Sequence, residues 1–417
     1  MAKSVMGVCQ MTGTPTESRY ATLTGGNSTL NIQARRQVPI FSAGIFSQMQ
    51  VLVLSNSADG TITFTFQIAG SSATLSVPVL TTATGLFADI TNTDAVTTGQ
   101  LVNFASIPTS GTAGTVVART SVSFAATSNT AELFIINGAV GFTDNTATVI
   151  YLPLVGAEPS GGGAVQETTE AITQFTMKTG GTLRNGAWYV NTNARTVTAT
   201  ATSRINGANG AISIPVTTLA TGLFQDTSNT DTIVSGNKLN WAITSAPAEA
   251  NDVSGNFLSC EFITTDSSWQ MIVGSQTVGG TSWIASDVEY LRTTGSASVI
   301  DSTEANMTTK IPFACTASNI NIYVVVNAGT TNGDLTLMKN GSATSLSAVI
   351  TALTTGLFVD DSNTSSIAAN DLISLRLDTG ATGATLTGAF GLKMLTTAAA
   401  SASGSGGLPN FLLLGVG

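Results

Sequence analysis

The chain has 417 residues, 42% of them apolar and only 9% charged, with a net charge of −9. That length suits about three domains of ~100–150 residues, and a charged fraction far below the ~25% of an average soluble domain is not the surface of a solvated helical enzyme. The 15 basic residues are scattered, with Arg35–Arg36 as the only adjacent pair, so the clustered cations that displace counterions from nucleic acid are missing and nucleic acid is not expected as a partner.

From the N-terminus, Met1–Gly7 carries one Lys and no long apolar run, which is not the pattern of a signal peptide. No stretch approaches the ~20 apolar residues of a membrane span, so no membrane partner is expected. Cys9, Cys260 and Cys315 are odd in number and unpatterned, which reads as free thiols in a chain folded in a reducing cytosol.

Further along, a hairpin pattern occurs three times: TFTFQIAGSSATLSVPV from Thr63, ATATSRINGANGAISIPV from Ala199 and DLTLMKNGSATSLSAVI from Asp334. Each alternates apolar and polar residues around a Gly-containing turn, the mark of antiparallel strands. Each leads into a second shared segment: TGLFADITNTDAVTTGQLVNF from Thr84, TGLFQDTSNTDTIVSGNKLNW from Thr221 and TGLFVDDSNTSSIAANDLISL from Thr355. The motif glycines, Gly85, Gly222 and Gly356, lie 137 and 134 residues apart. Such self-similarity identifies a tandem repeat. The TGLFxDxxNT segment, rich in Gly, Asp and Asn, is expected to form a tight turn or one helical turn. Leu86, Leu223, Leu357, Phe87, Phe224 and Phe358 would then plug one end of each unit.

A weaker signal opens each unit. Tyr20, Tyr151 and Tyr290 begin related segments, and apolar strands around Gly7, Gly138 and Gly274 precede them, with a fourth copy around Gly415 in FLLLGVG. If each unit borrows the strand that opens the next, FLLLGVG closes the last unit; the alternative is an arm inserted into a neighbouring subunit. The chain thus divides into 1–132, 133–267 and 268–417, the last with a C-terminal closing strand. Pro159–Gly163 is expected as a flexible loop and SASGSGG, from Ser401, as a linker. About eight short strands per unit, with little helical periodicity, indicate an all-β fold of three tandem antiparallel sandwiches of jelly-roll type.

Chemistry is sparse. With no histidine, Ser-His-Asp and Cys-His nucleophilic sites, His-ligated zinc and His acid–base catalysis are excluded. No phosphate-cradling glycine motif is present, and no cofactor is expected. Glu170 and Glu304 are repeat equivalents 134 residues apart, and so lie in different units, beyond the ~5–10 Å that a glycosidase carboxylate pair needs. The sharpest polar pattern is Asp89, Asn92 and Asp94, repeated as Asp226, Asn229 and Asp231; the third copy keeps Asp360, Asp361 and Asn363 but has Ser365 in place of the last Asp. These oxygens either cap turn amides or form a weak Ca²⁺ site, and the absence of EF-hand spacing favours capping. Trp188, Tyr189 and Trp241, with Trp269 and Trp283, read either as core or inter-unit packing or as platforms for a host glycan.

The order of hairpin with an Asn-Gly turn (Met338-Lys339-Asn340-Gly341), TGLFxDxSNTDxIxxG and strand resembles the jelly-roll repeats of tailed-bacteriophage virion proteins. It is also similar to the tumour-necrosis-factor-like jelly roll, whose Gly-Asp is matched imperfectly by Gly99-Gln100, Gly236-Asn237 and Asn370-Asp371. The resemblance implies a non-enzymatic virion protein assembled in the host cytoplasm, with other capsid or tail subunits as partners. An exterior capsid decoration or head fibre is the first expectation, and a tail or fibre adhesin binding host glycan or protein the second. A homotrimer is implied by the same likeness, while three units in one chain could instead make a pseudo-threefold monomer.

Overall fold

A computed structural model describes residues 3–13, 16–23, 31–109, 112–127, 132–137, 142–144, 149–154, 168–244, 251–265, 275–276, 283–285, 288–291, 293, 301–311, 314–380 and 384–395. Alternating apolar residues dictate strands almost throughout, and the strands assort into three successive sandwiches.

The first sandwich contains β1 (Lys3–Gly13), β2 (Arg19–Ala21), β3 (Val38–Pro39), β4 (Gly44–Asn56), β5 (Ile62–Ile68), β6 (Ser71–Val79), β7 (Gly85–Val96), β8 (Leu101–Pro108) and β9 (Val116–Ala126). One sheet runs β1-β9-β4-β7; the other runs β2-β8-β5-β6, with β3 also on β8. This interleaved antiparallel order is a jelly roll. The second sandwich repeats it with β10 (Glu132–Asn137), β11 (Phe142–Asp144), β12 (Ile150–Leu152), β13 (Phe175–Thr176), β14 (Gly181–Asn193), β15 (Ala199–Ile205), β16 (Ala208–Val216), β17 (Gly222–Ile233), β18 (Lys238–Thr244) and β19 (Val253–Thr264). The third follows with β20 (Ser275–Gln276), β21 (Trp283–Ala285), β22 (Val288–Leu291), β23 (Thr309–Lys310), β24 (Cys315–Asn327), β25 (Gly333–Lys339), β26 (Ser342–Ile350), β27 (Gly356–Ile367), β28 (Leu372–Asp378) and β29 (Ala384–Leu395). The equivalent strands β6, β16 and β26 share one burial pattern residue for residue, although their sequences differ.

Two expectations are corrected. The opening strand is not lent to the preceding sandwich: β1 pairs with β9, β10 and β11 pair with β19, and β20 and β21 pair with β29. Each opening strand therefore lies against the last long strand of its own sandwich. FLLLGVG, SASGSGG, Pro159–Gly163, Gly138, Gly274 and Trp269 lie outside the described residues. The TGLFxDxxNT segment is also neither a turn nor a helix. It is the first part of a 12-residue strand, β7, β17 or β27. Its motif glycine has φ of 104°, 110° or 115° in the three copies, a region that L side chains avoid. Strand alternation then splits the Leu-Phe pair. Phe87, Phe224 and Phe358 pack on the cores, whereas Leu86 and Leu357 are exposed and Leu223 lies against the core of the first sandwich.

The cores differ in kind. The first is phenyl-rich, with Phe46 4.4 Å from Phe66 and 4.7 Å from Phe124 between ring centroids. The second is built on Trp188 and Trp241, and the third on aliphatic residues such as Ile320, Leu337 and Leu375 with Phe390.

The three sandwiches pack in a cycle. Ala187 and Phe257 of the second belong to the core of the first, and the buried Ser42 hydroxyl donates to Glu261 across that seam. Between the second and third, Phe175 lies over β29 at Gly391, where an added Cβ would sit 2.7 Å from the ring. The third returns to the first, where the Arg119 guanidinium meets the Met307 sulfur at 3.7 Å. At all three seams the region around β3, β13 or β23 leans on the neighbour's sheet that contains β19, β29 or β9, respectively.

Candidate functional site

The recurring Asp and Asn residues of the repeat sit where two bulges meet at the open edge of each sandwich. In the first sandwich the β5–β6 ladder slips between Thr65 and Gln67, so that Thr74 and Leu75 lose their ladder partners. The β4–β7 ladder slips between Ser47 and Met49, where Ile90, Thr91 and Asn92 face the single residue Gln48. Gln48 has φ of 55°, and its equivalents Asn185 and Asn319 have 55° and 52°.

Asp94 accepts from the Thr74 amide at 2.9 Å and the Leu75 amide at 2.8 Å, serving the bulge in β6. Asp89 accepts from the Ser76 amide at 3.1 Å, the Thr91 amide at 3.2 Å, the Asn92 amide at 3.1 Å and the Asn92 side chain at 2.9 Å. The pair therefore ties an edge strand of one sheet to an edge strand of the other. Unsatisfied backbone amides at such an edge would be costly and would invite pairing with another chain.

The second sandwich repeats the latch. Asp231 accepts from Ala211 at 2.6 Å and from the Ser203 hydroxyl at 2.5 Å; Asp226 accepts from Ser213 at 2.8 Å and from the Asn229 side chain at 2.9 Å. In the third, Asp360 accepts from Ser347 at 2.9 Å and from the Asn363 amide at 3.0 Å. Ser365 has no carboxylate to offer, and the Leu346 amide turns to the Thr344 hydroxyl at 3.2 Å. Burial alone would raise the pKa of Asp89, but the bonds from Asn92, Ser76 and Thr91 outweigh it and hold the pKa at about 2. Asp226 and Asp360 are lowered against burial in the same way. The carboxylates thus face N–H donors, as capping requires. Among the described residues no group of three His, Cys, Asp or Glu side chains could hold a metal ion.

The remaining polar candidates are spread apart. Glu170, in the single helical turn α1 (Glu170–Thr173), clamps Arg204 through bonds of 2.8 and 2.9 Å. Glu304 accepts instead from Ser374 at 2.9 Å. Each fastens a short turn to its own sandwich. Trp188 and Trp241 are 0% and 1% exposed, which removes them as glycan platforms: both fill the second core and present no ring face to solvent. Tyr189 is half-buried at the seam with the first sandwich. Cys260 and Cys315 are buried free thiols, and burial pushes the Cys315 pKa up to about 12, far from thiolate reactivity.

Sequence reasoning missed the loops that lead from β6 to β7 and their counterparts. Asn56 donates to the Leu80 and Ala83 carbonyls, both at 3.1 Å, and Asn193 and Asn327 hold the matching loops in the same way. On these braced loops Leu80, Leu219 and Leu353 are 66%, 61% and 67% exposed. Leu219 and Leu353 also have left-handed backbones, with φ of 59° and 55°. A leucine is unfavourable there on both counts. The available signal was the recurrence of Asn at the end of each 13-residue strand.

No family model matches the chain, and no curated protein does. Among solved structures, one described as the triple jelly roll fold and turret assembly in an archaeal virus is 9% identical, with a TM-score of 0.20, over 86% of this chain and 81% of that one. A structure of the infectious bursal disease virus Gx strain is 12% identical, with a TM-score of 0.19, over 95% of this chain and 82% of that one.

Proposed function

We propose that the chain is a structural protein of a bacteriophage virion, an exterior capsid-associated decoration or head-fibre protein that acts by packing against other virion proteins. The observation that carries this reading is the cyclic packing of three jelly rolls, which leaves a braced loop with an outward leucine on each. Rigid apolar side chains on pre-ordered loops suit protein contacts, because little entropy remains to be lost on binding. Three such loops on one chain engage a repeated lattice together, with affinities that multiply. The division at residues 132 and 267 and the resemblance of the repeat to tailed-phage jelly rolls belong to the same reading. A cycle formed within one chain also supplies what a homotrimer would, so the protein acts as a pseudo-threefold monomer.

The test is quantitative mass spectrometry of purified particles combined with antibody labelling. Copies in proportion to the capsid lattice are expected. A few copies confined to the tail would favour an adhesin, and absence from the particle would overturn both assignments.

A further inference from the structure

The three seams are equivalent in position and different in chemistry. Leu52, Tyr189 and Tyr323 occupy the same place, each paired with the motif leucine of its own sandwich. From the preceding sandwich come the equivalents Leu101, Lys238 and Leu372. Between the second and third sandwiches the Lys238 ammonium lies 4.4 Å from the centroid of the Tyr323 ring, a cation–π contact. Between the first and second, Tyr189 packs on the first core, 5.9 Å from the Phe257 ring. Between the third and first, the tyrosine is replaced by Leu52. There a cavity of about 80 Å³ opens, lined by Leu52, Leu86 and Leu372 together with Arg119, Thr309 and Lys310. Among the described residues its lining includes two cationic side chains and no carboxylate.

We propose that this third seam is a binding site for one aromatic ring that bears a hydroxyl or an anionic group, a ligand of the phenol or benzoate class. The leucines supply apolar contact for the ring, and Lys310 supplies a positive charge and a donor for its substituent. The other two seams show that this position accommodates a phenol ring when the chain itself provides one. The ring comes either from a free aromatic acid or from a tyrosine of another protein. Binding would fill the position at which, among the described residues, this seam lacks the tyrosine that the other two carry, and so favour the closed cycle. The site does not depend on where the protein resides in a particle.

The experiment titrates the full chain with phenol, benzoate and the tripeptide Gly-Tyr-Gly, followed by methyl NMR. Phenol and benzoate are expected to bind once per chain with Kd on the order of 1 mM, as befits ligands of so few atoms, and to shift the methyls of Leu52, Leu86 and Leu372. Binding of the tripeptide assigns the ring to a protein partner; its failure beside successful small probes assigns the site to a free ligand. Leu52→Tyr, which fills the cavity from one wall, should weaken binding at least tenfold and raise Tm. Leu372→Tyr fills it from the other wall and serves if the first variant does not fold. Absence of binding by both small probes, or undiminished binding in a folded filled variant, overturns the proposal.

Discussion

The first and third sandwiches hold the same edge by different means. In the first, Asp89 and Asp94 divide the work, one serving the bulge in β7 and one the bulge in β6. In the third, Asp360 alone spans the two strands, and the β26 bulge satisfies its Leu346 amide locally through Thr344. The carboxylate that closes the β7-type bulge is retained, while the one that closes the β6-type bulge is replaceable by a hydroxyl within the bulge itself. What matters is therefore satisfaction of the amides, and the charge is one way to achieve it.

The sharpest way to break this comparison is to remove the shared carboxylate. Asp360→Ala should destabilise the third sandwich by about 2 kcal/mol, because several half-buried amides lose a charged acceptor together, and should release β26. Hydrogen exchange would then show Ser342–Ile350 losing protection. Asp89→Ala should leave Thr74 and Leu75 protected, because Asp94 still holds them. Loss of protection at Thr74 and Leu75 in that variant would refute the division of labour.

Acid probes the same difference without mutation. The folded pKa of Asp89 is about 2, below the ordinary aspartate value of 3.8, so its contribution is full above pH ~4 and is lost as pH falls towards 2. Asp360 shifts in the same direction. Exchange measured from pH 5 to pH 2 should show the Ser76 and Ser347 amides, which these two carboxylates hold, both losing protection.

Smaller effects come from exchanging the replaced residue. Asp94→Ser should cost the first sandwich about 1–2 kcal/mol, since the Thr74 and Leu75 amides lose a charged acceptor. Ser365→Asp should stabilise the third by about 1 kcal/mol or less, because Leu346 already has a partner. Thermal melts of the full chain, with exchange to assign the sandwich affected, would check both. A gain from Ser365→Asp larger than the loss from Asp94→Ser would reverse the argument.

Much of this was legible in the sequence and some was not, for identifiable reasons. Alternation around Gly turns marked the hairpins, and the short spacing of Asp and Asn marked capping. The TGLF segment misled because a glycine with positive φ and an inserted bulge interrupt strand periodicity just as a turn does. Trp188 and Trp241 were ambiguous because a tryptophan on a strand can face either the core or solvent, and that depends on register. The borrowed strand failed because repetition of a segment shows that it recurs, not which sheet it joins. The seam cavity was beyond reach: Leu52 is an ordinary strand leucine until the neighbour that faces it is known.

Glu261 shows what enclosing the cycle in a single chain permits. It is fully buried and accepts from Arg184 and Asn185, each at 2.7 Å, and from Ser42 of the adjoining sandwich. The equivalent positions carry Ser123 and Lys393. In an assembly of identical subunits any substitution is imposed at every junction, so an inward acid must be tolerated three times or not at all. Here each junction mutates on its own, and a change useful in one place is not copied into two places where it would do harm. Fusion thus gives this protein three independently adjustable joints, at the cost of a much longer chain to fold.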